Sequence, residues 1–385
     1  MSSYIKHMKI ALIGQKGIPA KQGGIEKHVE ELSIRLAEAG FDVSVYSRPH
    51  YSGKNIKTYK NVKLIYLPSL NTKTLDAISH TLISTIHALF QNYDIIHYHG
   101  VGPSLLSWLP RILKPNTKVV ATFHCLDRKH QKWNWFARLM LAMGERSACY
   151  FPHQTITVSK TLKKYCEYRF DKTTNYIPNG VSLNQDEANL NILKQYNLEK
   201  DSYIFTASRL VRHKGIHTLI EAYNKIQTTK KLVIAGEGAN TYEYVKELKQ
   251  LAAGNKNIIF VGEQINGNLK ALFANAYLFI QPSEAEGLSI ALLEAISYNL
   301  PVIISDIEEN KEVAGNRTTS FKNKNANDLA KKIDFAINNY KQIKINTELA
   351  KKAVDKEYDW NNIVNQTIGL YKQPFKSVYK PRLAK

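Results

Sequence analysis

The sequence has few cysteines and no long apolar run, and each shortage excludes a class of protein. Its three cysteines, Cys125, Cys149 and Cys166, have neither metal-ligand spacing nor the number of a disulfide framework, which favours a reducing, cytosolic compartment. No apolar stretch approaches the ~18–20 residues of a membrane-spanning helix, which excludes an integral membrane protein. The N-terminus MSSYIKHMKIALIG has no small-residue cleavage site, so we interpret it as a first strand rather than a signal peptide.

Acidic residues are also scarce, and their shortage is uneven along the chain. The 385 residues include 53 Lys and Arg against 33 Asp and Glu, a formal net charge of +20. Residues 1–180 carry 25 cations against 11 acids, residues 181–360 carry 23 against 22, and residues 361–385 carry five cations and no acid. Such asymmetry predicts a basic face with an anionic partner: a nucleic acid, the inner face of a membrane or a phosphorylated substrate.

One basic segment, residues 128–146, favours a membrane over a nucleic acid. Its sequence RKHQKWNWFARLMLAMGER interleaves apolar side chains with cations, which is typical of an amphipathic helix lying in a membrane interface. No helix-turn-helix, zinc-finger or RNA-binding signature occurs, so we expect no nucleic-acid partner. The alternative is an ordinary helix whose aromatic side packs on the protein core.

Short β-branched runs alternate with amphipathic segments along the chain. Composition is that of a globular protein, with 44% apolar and 22% charged residues, and the length predicts two domains. Predicted strands cover 9–14, 42–48, 62–68, 94–100, 118–124, 155–159, 175–180, 202–208, 231–236, 257–262, 276–283 and 301–305. Predicted helices cover 24–40, 216–227, 241–253, 267–275 and 287–298. The alternation predicts an α/β fold of parallel sheets with helices on both faces.

A polar, helix-poor segment, SLNQDEANLN at 182–191, separates two series of strands. We therefore predict an N-terminal domain over 1–185, a C-terminal domain over 186–360 and a basic tail over 361–385.

Ligands of parallel sheets bind beyond the carboxyl ends of the strands, and a glycine pair follows the first strand. Gly23 and Gly24 begin a predicted helix, whose bare backbone N–H groups favour a phosphate, although a tight turn explains them equally well. Their spacing is not G-x-G-x-x-G, and no acid follows the second strand to hold a ribose. Both facts argue against a dinucleotide-dependent dehydrogenase.

Three segments of the second half carry polar residues after strands. Arg209 and Lys214, in SRLVRHKG, suit a diphosphate, and the GEG run at 236–238 lets backbone approach a ligand. In SEAEGLSIALLEAISYNLPVIISD, Glu286 stands at a helix entrance and Glu294 lies among apolar residues, where an acid needs a polar partner such as a sugar or ribose diol. The simpler alternatives are a solvated basic turn, a helix-capping Glu286 and a water-facing Glu294.

These motifs, in this order, resemble the retaining nucleotide-sugar glycosyltransferases of family 4. The resemblance covers nearly the whole chain and is most specific at E-x7-E, from Glu286 to Glu294, with IPNGV, SRLVRHKG and GEG in the family's order. GIPAKQGGIEKHVEEL and FHCLDRKHQKW look like a bacterial branch assigned to surface polysaccharide synthesis. The resemblance implies the GT-B fold: two Rossmann-like domains facing across a cleft, with a C-terminal helix crossing back to the N-terminal domain.

The resemblance also implies residue roles. Arg209 and Lys214 would hold the donor diphosphate and stabilise its charge as it leaves, Glu286 would hold the donor sugar, and His124 would lie beside the reacting carbon. Other donor contacts would come from Gly23, Gly24, Gly236, Glu237, Gly238, Gly262, Gly287, Leu288, Ser289 and, on the ribose, Glu294. The sequence departs from the branch at Cys125, where glycine is common, and at Arg128, where an aromatic residue is usual. These two departures bear on acceptor specificity and not on the residues that would hold the donor.

The expected reaction is retaining and needs neither a metal nor a cofactor. The chain has no D-x-D triplet, which agrees with metal independence. A glycan or lipid-linked acceptor on the N-terminal domain, at the anionic cytoplasmic face of the membrane, would fit the charge distribution and a role in polysaccharide or lipopolysaccharide synthesis. UDP-sugars are favoured on base rates alone, with GDP-mannose and dTDP-rhamnose open. The alternatives are an epimerase or phosphorylase of the same fold, and a basic nucleic-acid-binding protein.

Overall fold

The computed structural model describes residues 8–53, 56–72, 75–129, 133–181, 188–239, 241–315 and 318–375. The chain divides into two compact units: unit 1 combines residues 1–179 with 360–385, and unit 2 comprises residues 180–359. The predicted boundaries were 185 and 360. Most of the segment on which the first boundary was placed, residues 182–187, lies outside the described residues.

The described strands of unit 1 form one eight-stranded sheet in the order β3-β4-β2-β1-β5-β6-β7-β8. All neighbours are parallel except β3 and β4. The strands are β1 (Lys9–Ile13), β2 (Asp42–Ser47), β3 (Thr58–Tyr59), β4 (Val62–Tyr66), β5 (Ile95–His99), β6 (Lys118–Phe123), β7 (Gln154–Thr157) and β8 (Asn175–Tyr176). The helices are α1 (Gly24–Glu38), α2 (Pro49–Ser52), α3 (Asp76–Leu89), α4 (Val101–Ser104), α5 (Trp108–Leu113), α6 (Trp135–Tyr150) and α7 (Lys160–Phe170).

The described strands of unit 2 form a six-stranded, fully parallel sheet in the order β11-β10-β9-β12-β13-β14. They are β9 (Tyr203–Ala207), β10 (Lys231–Ala235), β11 (Ile258–Gly262), β12 (Leu278–Gln281), β13 (Val302–Ser305) and β14 (Thr319–Phe321). The helices are α8 (Asn191–Gln195), α9 (Ile216–Tyr223), α10 (Tyr242–Leu251), α11 (Asn266–Asn275), α12 (Ile290–Ser297), α13 (Glu308–Ala314), α14 (Ala326–Asn338) and α15 (Tyr340–Glu357). The predicted α/β class with two parallel sheets is confirmed.

A final helix, α16 (Trp360–Lys372), packs into the core of unit 1, as predicted for the C-terminal helix. The buried ammonium of Lys118 donates hydrogen bonds to the carbonyls of Leu370, Tyr371 (3.0 Å) and Gln373 (2.6 Å). A cation there satisfies carbonyls that the end of a helix leaves unpaired. Four of the five tail cations, at 376–385, lie outside the described residues.

Several predicted elements were wrong in extent. The predicted strand 175–180 ends at Tyr176, and Pro178, which has no N–H to donate to a sheet, follows closely. The helix predicted at 287–298 begins only at Ile290. Helix α6 begins at Trp135 rather than residue 128, with a short 3-10 turn, Asp127–Lys129, upstream.

No helix in the described ranges combines the length and the apolar character that crossing a bilayer requires.

Candidate active site

Two loops of unit 2 bring a predicted cation and a predicted acid into contact. Lys214 ends a 3-10 turn after β9, and Glu286 lies in the loop after β12, the strand that pairs with β9. The Lys214 Nζ lies 2.6 Å from Glu286 Oε1, and the two side chains are only 16% and 7% exposed. Water screens such a pair far less than a surface ion pair. The structure therefore assembles these two side chains at the carboxyl edge of the sheet.

Glycine at position 215 makes this approach possible. Gly215 has a φ of +68°, and a Cβ there would lie 2.0 Å from the carbonyl oxygen of Pro282. The backbone N–H of Glu284 donates to the carbonyl of His213 at 2.8 Å. The turn that carries Lys214 is thus held directly against the loop that carries Glu286.

Gln281, at the end of β12, orients the carboxylate of Glu286. Its Nε2 donates to Glu286 Oε1 at 2.9 Å and to Ser283 Oγ at 2.8 Å. Oε1 therefore accepts hydrogen bonds from both Gln281 and Lys214. The second oxygen, Oε2, has no hydrogen bond to any residue within the described ranges, so one oxygen is left for a ligand hydroxyl.

Glu284, two residues before Glu286, ties the loop to its surroundings. Its carboxylate oxygens lie 3.3 Å from His217 Nε2 and 3.3 Å from Lys324 Nζ, and its side chain is 11% exposed. His217 Nδ1 in turn hydrogen-bonds Tyr244 OH at 2.9 Å. Burial lowers the pKa of His217, and Glu284 opposes that shift. The loop is therefore fixed to α9 and to the segment after β14.

Backbone contacts hold the segment around Arg209 against the GEG run at 236–238. Gly236 has a φ of +136°, and a Cβ there would lie 1.8 Å from the carbonyl oxygen of Ser208. The Leu210 N–H donates to the Glu237 carbonyl at 2.8 Å, and the Gly236 N–H to the Gly262 carbonyl at 2.7 Å.

The side chain of Arg209 is half-buried and forms no ion pair with any acid of the described segments. An unneutralised guanidinium at this edge of the sheet can accept an anionic ligand. Glu237 and Gly238 are exposed in the adjoining loop.

The N-terminal cap of α12 excludes one of the simpler alternatives for Glu286. Ser289 caps α12, its Oγ accepting the Leu292 N–H at 3.3 Å, so the explanation of Glu286 as the helix cap is wrong. Gly287, Leu288 and Ser289 are buried, and Glu294 lies half-buried within α12. Because Glu286 lies outside that helix, the E-x7-E spacing does not place both acids on one helix.

In unit 1, the predicted glycine pair lies at the start of α1. Gly23 precedes the helix with a φ of +100°, and Gly24 is its first residue. Glu26 folds back over Gly23, where a Cβ would lie 2.0 Å from its Oε2, while its Oε1 accepts the Lys16 N–H at 3.1 Å. A phosphate at this helix end would have to displace the carboxylate of Glu26. The phosphate contact of Gly23 and Gly24 stays a prediction.

His124 follows β6 and belongs to a cluster of buried histidines that sequence analysis missed. His124 Nε2 lies 3.2 Å from His99 Nδ1, and the His28 ring contacts the His124 ring at 5.0 Å between centroids. The His97 ring lies tilted against that of His99, with 4.1 Å between centroids, and it hydrogen-bonds Tyr371 OH of α16 at 2.7 Å.

The sequence did contain a signal for this cluster. His97 and His99 alternate at the end of β5, which pairs with β6, the strand that His124 follows. Among the described residues, His28, His99 and His124 also form the one group of metal-ligating side chains close enough to hold an ion, with one nitrogen of each within 4.8 Å of the others. The predicted absence of a metal stays a prediction.

Burial keeps these imidazoles neutral. It lowers the pKa of His28 to about 4, against a weak opposing hydrogen bond from Asn179, and that of His97 to about 3, assisted by His28. Burial and the neighbouring histidines hold the pKa values of His99 and His124 well below their usual range. A neutral ring both donates and accepts a hydrogen bond, as a sugar hydroxyl requires.

The cluster should make unit 1 sensitive to acid. Because the folded protein binds fewer protons than the unfolded chain between about pH 6.5 and 4, stability is complete above pH 6.5 and falls below it, by about 1.4 kcal/mol per pH unit for each such histidine. Tryptophan fluorescence during urea unfolding measures this for unit 1, because all four tryptophans lie there.

A variant checks that expectation. In His97→Gln the pH dependence of the free energy of unfolding should be shallower by about one bound proton, because the variant removes an imidazole whose pKa burial lowers to about 3. Equal slopes for wild type and His97→Gln would contradict it.

Two family models match the chain. Residues 22–185 match "Glycosyltransferase Family 4", and residues 189–356 match "Glycosyl transferases group 1". The chain is thus a glycosyltransferase. Its first half matches the family 4 model and its second half the group 1 model, and its fold is GT-B.

Curated relatives share about a quarter of their residues with this chain. An uncharacterized glycosyltransferase of Methanocaldococcus jannaschii is 26% identical over 95% of this chain and 98% of its own. The phosphatidylinositol N-acetylglucosaminyltransferase gpi3 subunit of Schizosaccharomyces pombe is 24% identical over 91% and 77%. The N,N'-diacetylbacillosaminyl-diphospho-undecaprenol alpha-1,3-N-acetylgalactosaminyltransferase of Campylobacter jejuni is 28% identical over 48% of each chain.

Solved structures share the fold. Sucrose-phosphate synthase from Thermosynechococcus elongatus superposes with a TM-score of 0.79 at 22% identity, over 95% of this chain and 98% of its own. Anabaena HepE in complex with UDP-glucose gives 0.79 at 18% identity, over 94% and 99%. At these identities the likeness bears on the fold alone.

Proposed function

We propose that this protein is a retaining, metal-independent glycosyltransferase that moves a sugar from a nucleotide-diphosphate donor to a glycan or lipid-linked acceptor. The observation that carries the proposal is the largely buried Lys214–Glu286 pair, at the same sheet edge as an Arg209 that no described acid neutralises. Two cations at one sheet edge match the two charged groups of a diphosphate.

Arg209 and Lys214 stabilise the negative charge that develops on the departing nucleotide. Fixed cations in a partly desolvated site act where charge appears and need no reorganisation during the reaction. This is the work that a divalent ion does in other transferases, and it supports metal independence. Glu286, with Oε1 held by Gln281 and Lys214, offers Oε2 to a hydroxyl of the donor sugar. For His124 we keep the role that the family resemblance implies, beside the reacting carbon.

Given retention, the carboxylates of unit 2 bear on the route of transfer. A double-displacement mechanism needs a carboxylate free to attack the sugar. Glu284 is held by His217 and Lys324, and Oε1 of Glu286 is held by Lys214 and Gln281. Glu284 is therefore not presented as a nucleophile, and the remaining oxygen of Glu286 is the one that we assign to a hydroxyl of the donor sugar. We therefore favour transfer on the face from which the nucleotide leaves.

Donor and acceptor are proposed by class. The name of the gpi3 relative gives a phospholipid acceptor, that of the Campylobacter relative gives an undecaprenol-linked acceptor, and the Anabaena structure contains UDP-glucose. We therefore favour a UDP-sugar and a lipid-linked acceptor at the cytoplasmic face of an anionic membrane, in surface polysaccharide or lipopolysaccharide synthesis.

A donor panel tests the proposal. The full chain is incubated with UDP-, GDP- and dTDP-sugars, with and without EDTA, and the released nucleotide is measured. We expect slow hydrolysis of a UDP-sugar that EDTA does not change, with the anomeric configuration retained in the released sugar. Loss of activity in EDTA would overturn metal independence. Isomerised sugar nucleotide without release would indicate an epimerase, and no turnover of any donor would overturn the proposal.

A further inference from the structure

Helix α3 of unit 1 buries its polar side and exposes its apolar side, which is the reverse of an ordinary amphipathic surface helix. It buries polar residues, His80, Thr81, Ser84 and Thr85, against the sheet. It exposes Leu82, Ile86 and, at its end, Phe90, which is 83% exposed. The exposed residues recur every four positions and therefore form one stripe. A large apolar stripe facing outward is informative because apolar residues of this size ordinarily lie inside.

Helices α5 and α6 repeat this inversion. On α5, Trp108 and Ile112 are exposed four positions apart. On α6, Trp135, Leu139 and Met143 are exposed at the same spacing, and Trp135 is 76% exposed. The alternative interpretation of residues 128–146, in which the aromatic side packs on the core, is therefore wrong for the described part of that segment.

The three stripes belong to one layer of helices. Helix α3 packs against α4 and α5, and α4 packs against α6. The last contact is close, because a Cβ on Gly144 would lie 2.3 Å from the carbonyl of Val101, and Ser147 Oγ donates to the Ser104 carbonyl at 2.7 Å. We call the outward stripes of α3, α5 and α6 together the outer apolar face.

The exposed charged side chains of α3, α5 and α6 are all cationic. The two acids within these three helices are both paired: Asp76 with Arg48 at 2.6 Å, and the buried Glu145 with Arg128 at 2.9 Å. Arg138 and Arg146 of α6 are exposed among the apolar side chains. An apolar surface edged by unpaired cations matches an anionic interface.

We propose that the outer apolar face seats unit 1 on an anionic lipid bilayer, with the stripes of all three helices entering the interface. A nucleic acid would leave the apolar stripes uncovered. A second copy of the chain would bring together two surfaces from segments that carry 25 cations against 11 acids. The inference rests on the proposed lipid-linked acceptor and deepens it by naming the surface that meets the membrane.

Matched triple variants test the face. Leu82→Ser/Ile86→Ser/Phe90→Ser removes the α3 stripe, and Trp135→Ser/Leu139→Ser/Met143→Ser removes the α6 stripe. Phe335→Ser/Ile345→Ser/Leu349→Ser removes exposed apolar residues of unit 2 as the control. Cosedimentation uses vesicles of equal parts phosphatidylglycerol and phosphatidylcholine, or of phosphatidylcholine alone. We expect wild type and control to bind the anionic vesicles. Each unit 1 triple should bind them at least about tenfold more weakly.

Folding and depth of insertion are measured in parallel. Because the altered side chains are exposed, each triple should unfold within a few degrees of wild type. Brominated lipid should quench the fluorescence of wild type, through the exposed Trp108 and Trp135, and should quench the α6 triple less. A unit 1 triple that binds anionic vesicles as wild type does would overturn the proposal. So would wild-type protein that does not bind anionic vesicles, that dimerises through this face, or that duplex DNA displaces from the vesicles.

The failure of this inference is distinguishable from that of the proposed function. Donor hydrolysis needs no membrane, so intact hydrolysis with no vesicle binding would overturn only the outer apolar face. Vesicle binding that depends on the stripes, without hydrolysis of any donor, would overturn only the proposed chemistry.

Discussion

Lys214→Ala should lower kcat for sugar transfer by about 10²–10³-fold, the usual cost of removing one preorganised charge-stabilising donor. Lys214 is the cation that contacts Glu286 directly, and its side chain is 16% exposed, so water cannot replace it at full strength. Glu286→Gln should cause a loss of similar size, because the amide keeps the shape but neither pairs with Lys214 nor accepts as strongly from a sugar hydroxyl. Initial-rate kinetics with a saturating UDP-sugar measure both losses.

Arg212→Ala is the matched control for these variants. Arg212 lies in the same turn as Lys214, but its guanidinium pairs with Glu247 and lies over the Tyr244 ring. We expect its kcat to remain within a few-fold of wild type, with all three variants sharing the wild-type unfolding midpoint within a few degrees. Turnover of Lys214→Ala at the wild-type rate would remove Lys214 from the catalytic machinery.

Gly236→Ala should destabilise unit 2 by about 3 kcal/mol or more, because it combines backbone strain with a steric clash. At a φ of +136°, the new Cβ would lie 1.8 Å from the Ser208 carbonyl, and moving away would stretch the Gly236–Gly262 hydrogen bond of 2.7 Å. Equilibrium urea unfolding followed by circular dichroism measures the loss. Tryptophan fluorescence should keep its wild-type transition, since unit 2 has no tryptophan.

Gly254→Ala measures the contribution of backbone strain without a steric clash. Gly254 also has a positive φ, +87°, but a Cβ there would meet no atom within 4 Å. We expect a loss of only about 1–2 kcal/mol, the cost of a left-handed backbone for an alanine. If both variants lost the same free energy of unfolding, the Ser208 carbonyl would be able to move away from the new Cβ without destabilising unit 2.

The alternation of strands and helices was sufficient to predict both sheets. Val29, Leu32 and Leu36 recur at helical spacing and are buried in α1 as expected, while β1 and β9 come from apolar runs. Local periodicity carries this information because each element buries its own apolar side. The approach of Lys214 to Glu286 was foreseeable as well, because both follow strands that end at one edge of a sheet.

Other features needed neighbours that are remote in sequence. Glu284 gained His217 and Lys324 as partners only because three separate segments converge on it. The inversion of α3 was likewise hidden, since periodicity shows that a helix has two unlike sides but not which side meets the sheet. Here the sheet side is polar, and apolar content alone would have assigned the opposite orientation.

Taken alone, the sequence determined the class of fold, the order of the loops that we propose bind the nucleotide, and the excess of cations in the first half of the chain. These properties follow from local patterning and composition. Tertiary structure decided which side chains touch, from the Lys214–Glu286 pair to the buried histidines at the ends of β5 and β6. It also decided which helix faces remain outside, because strand pairing and crossover connections join residues that no local pattern relates.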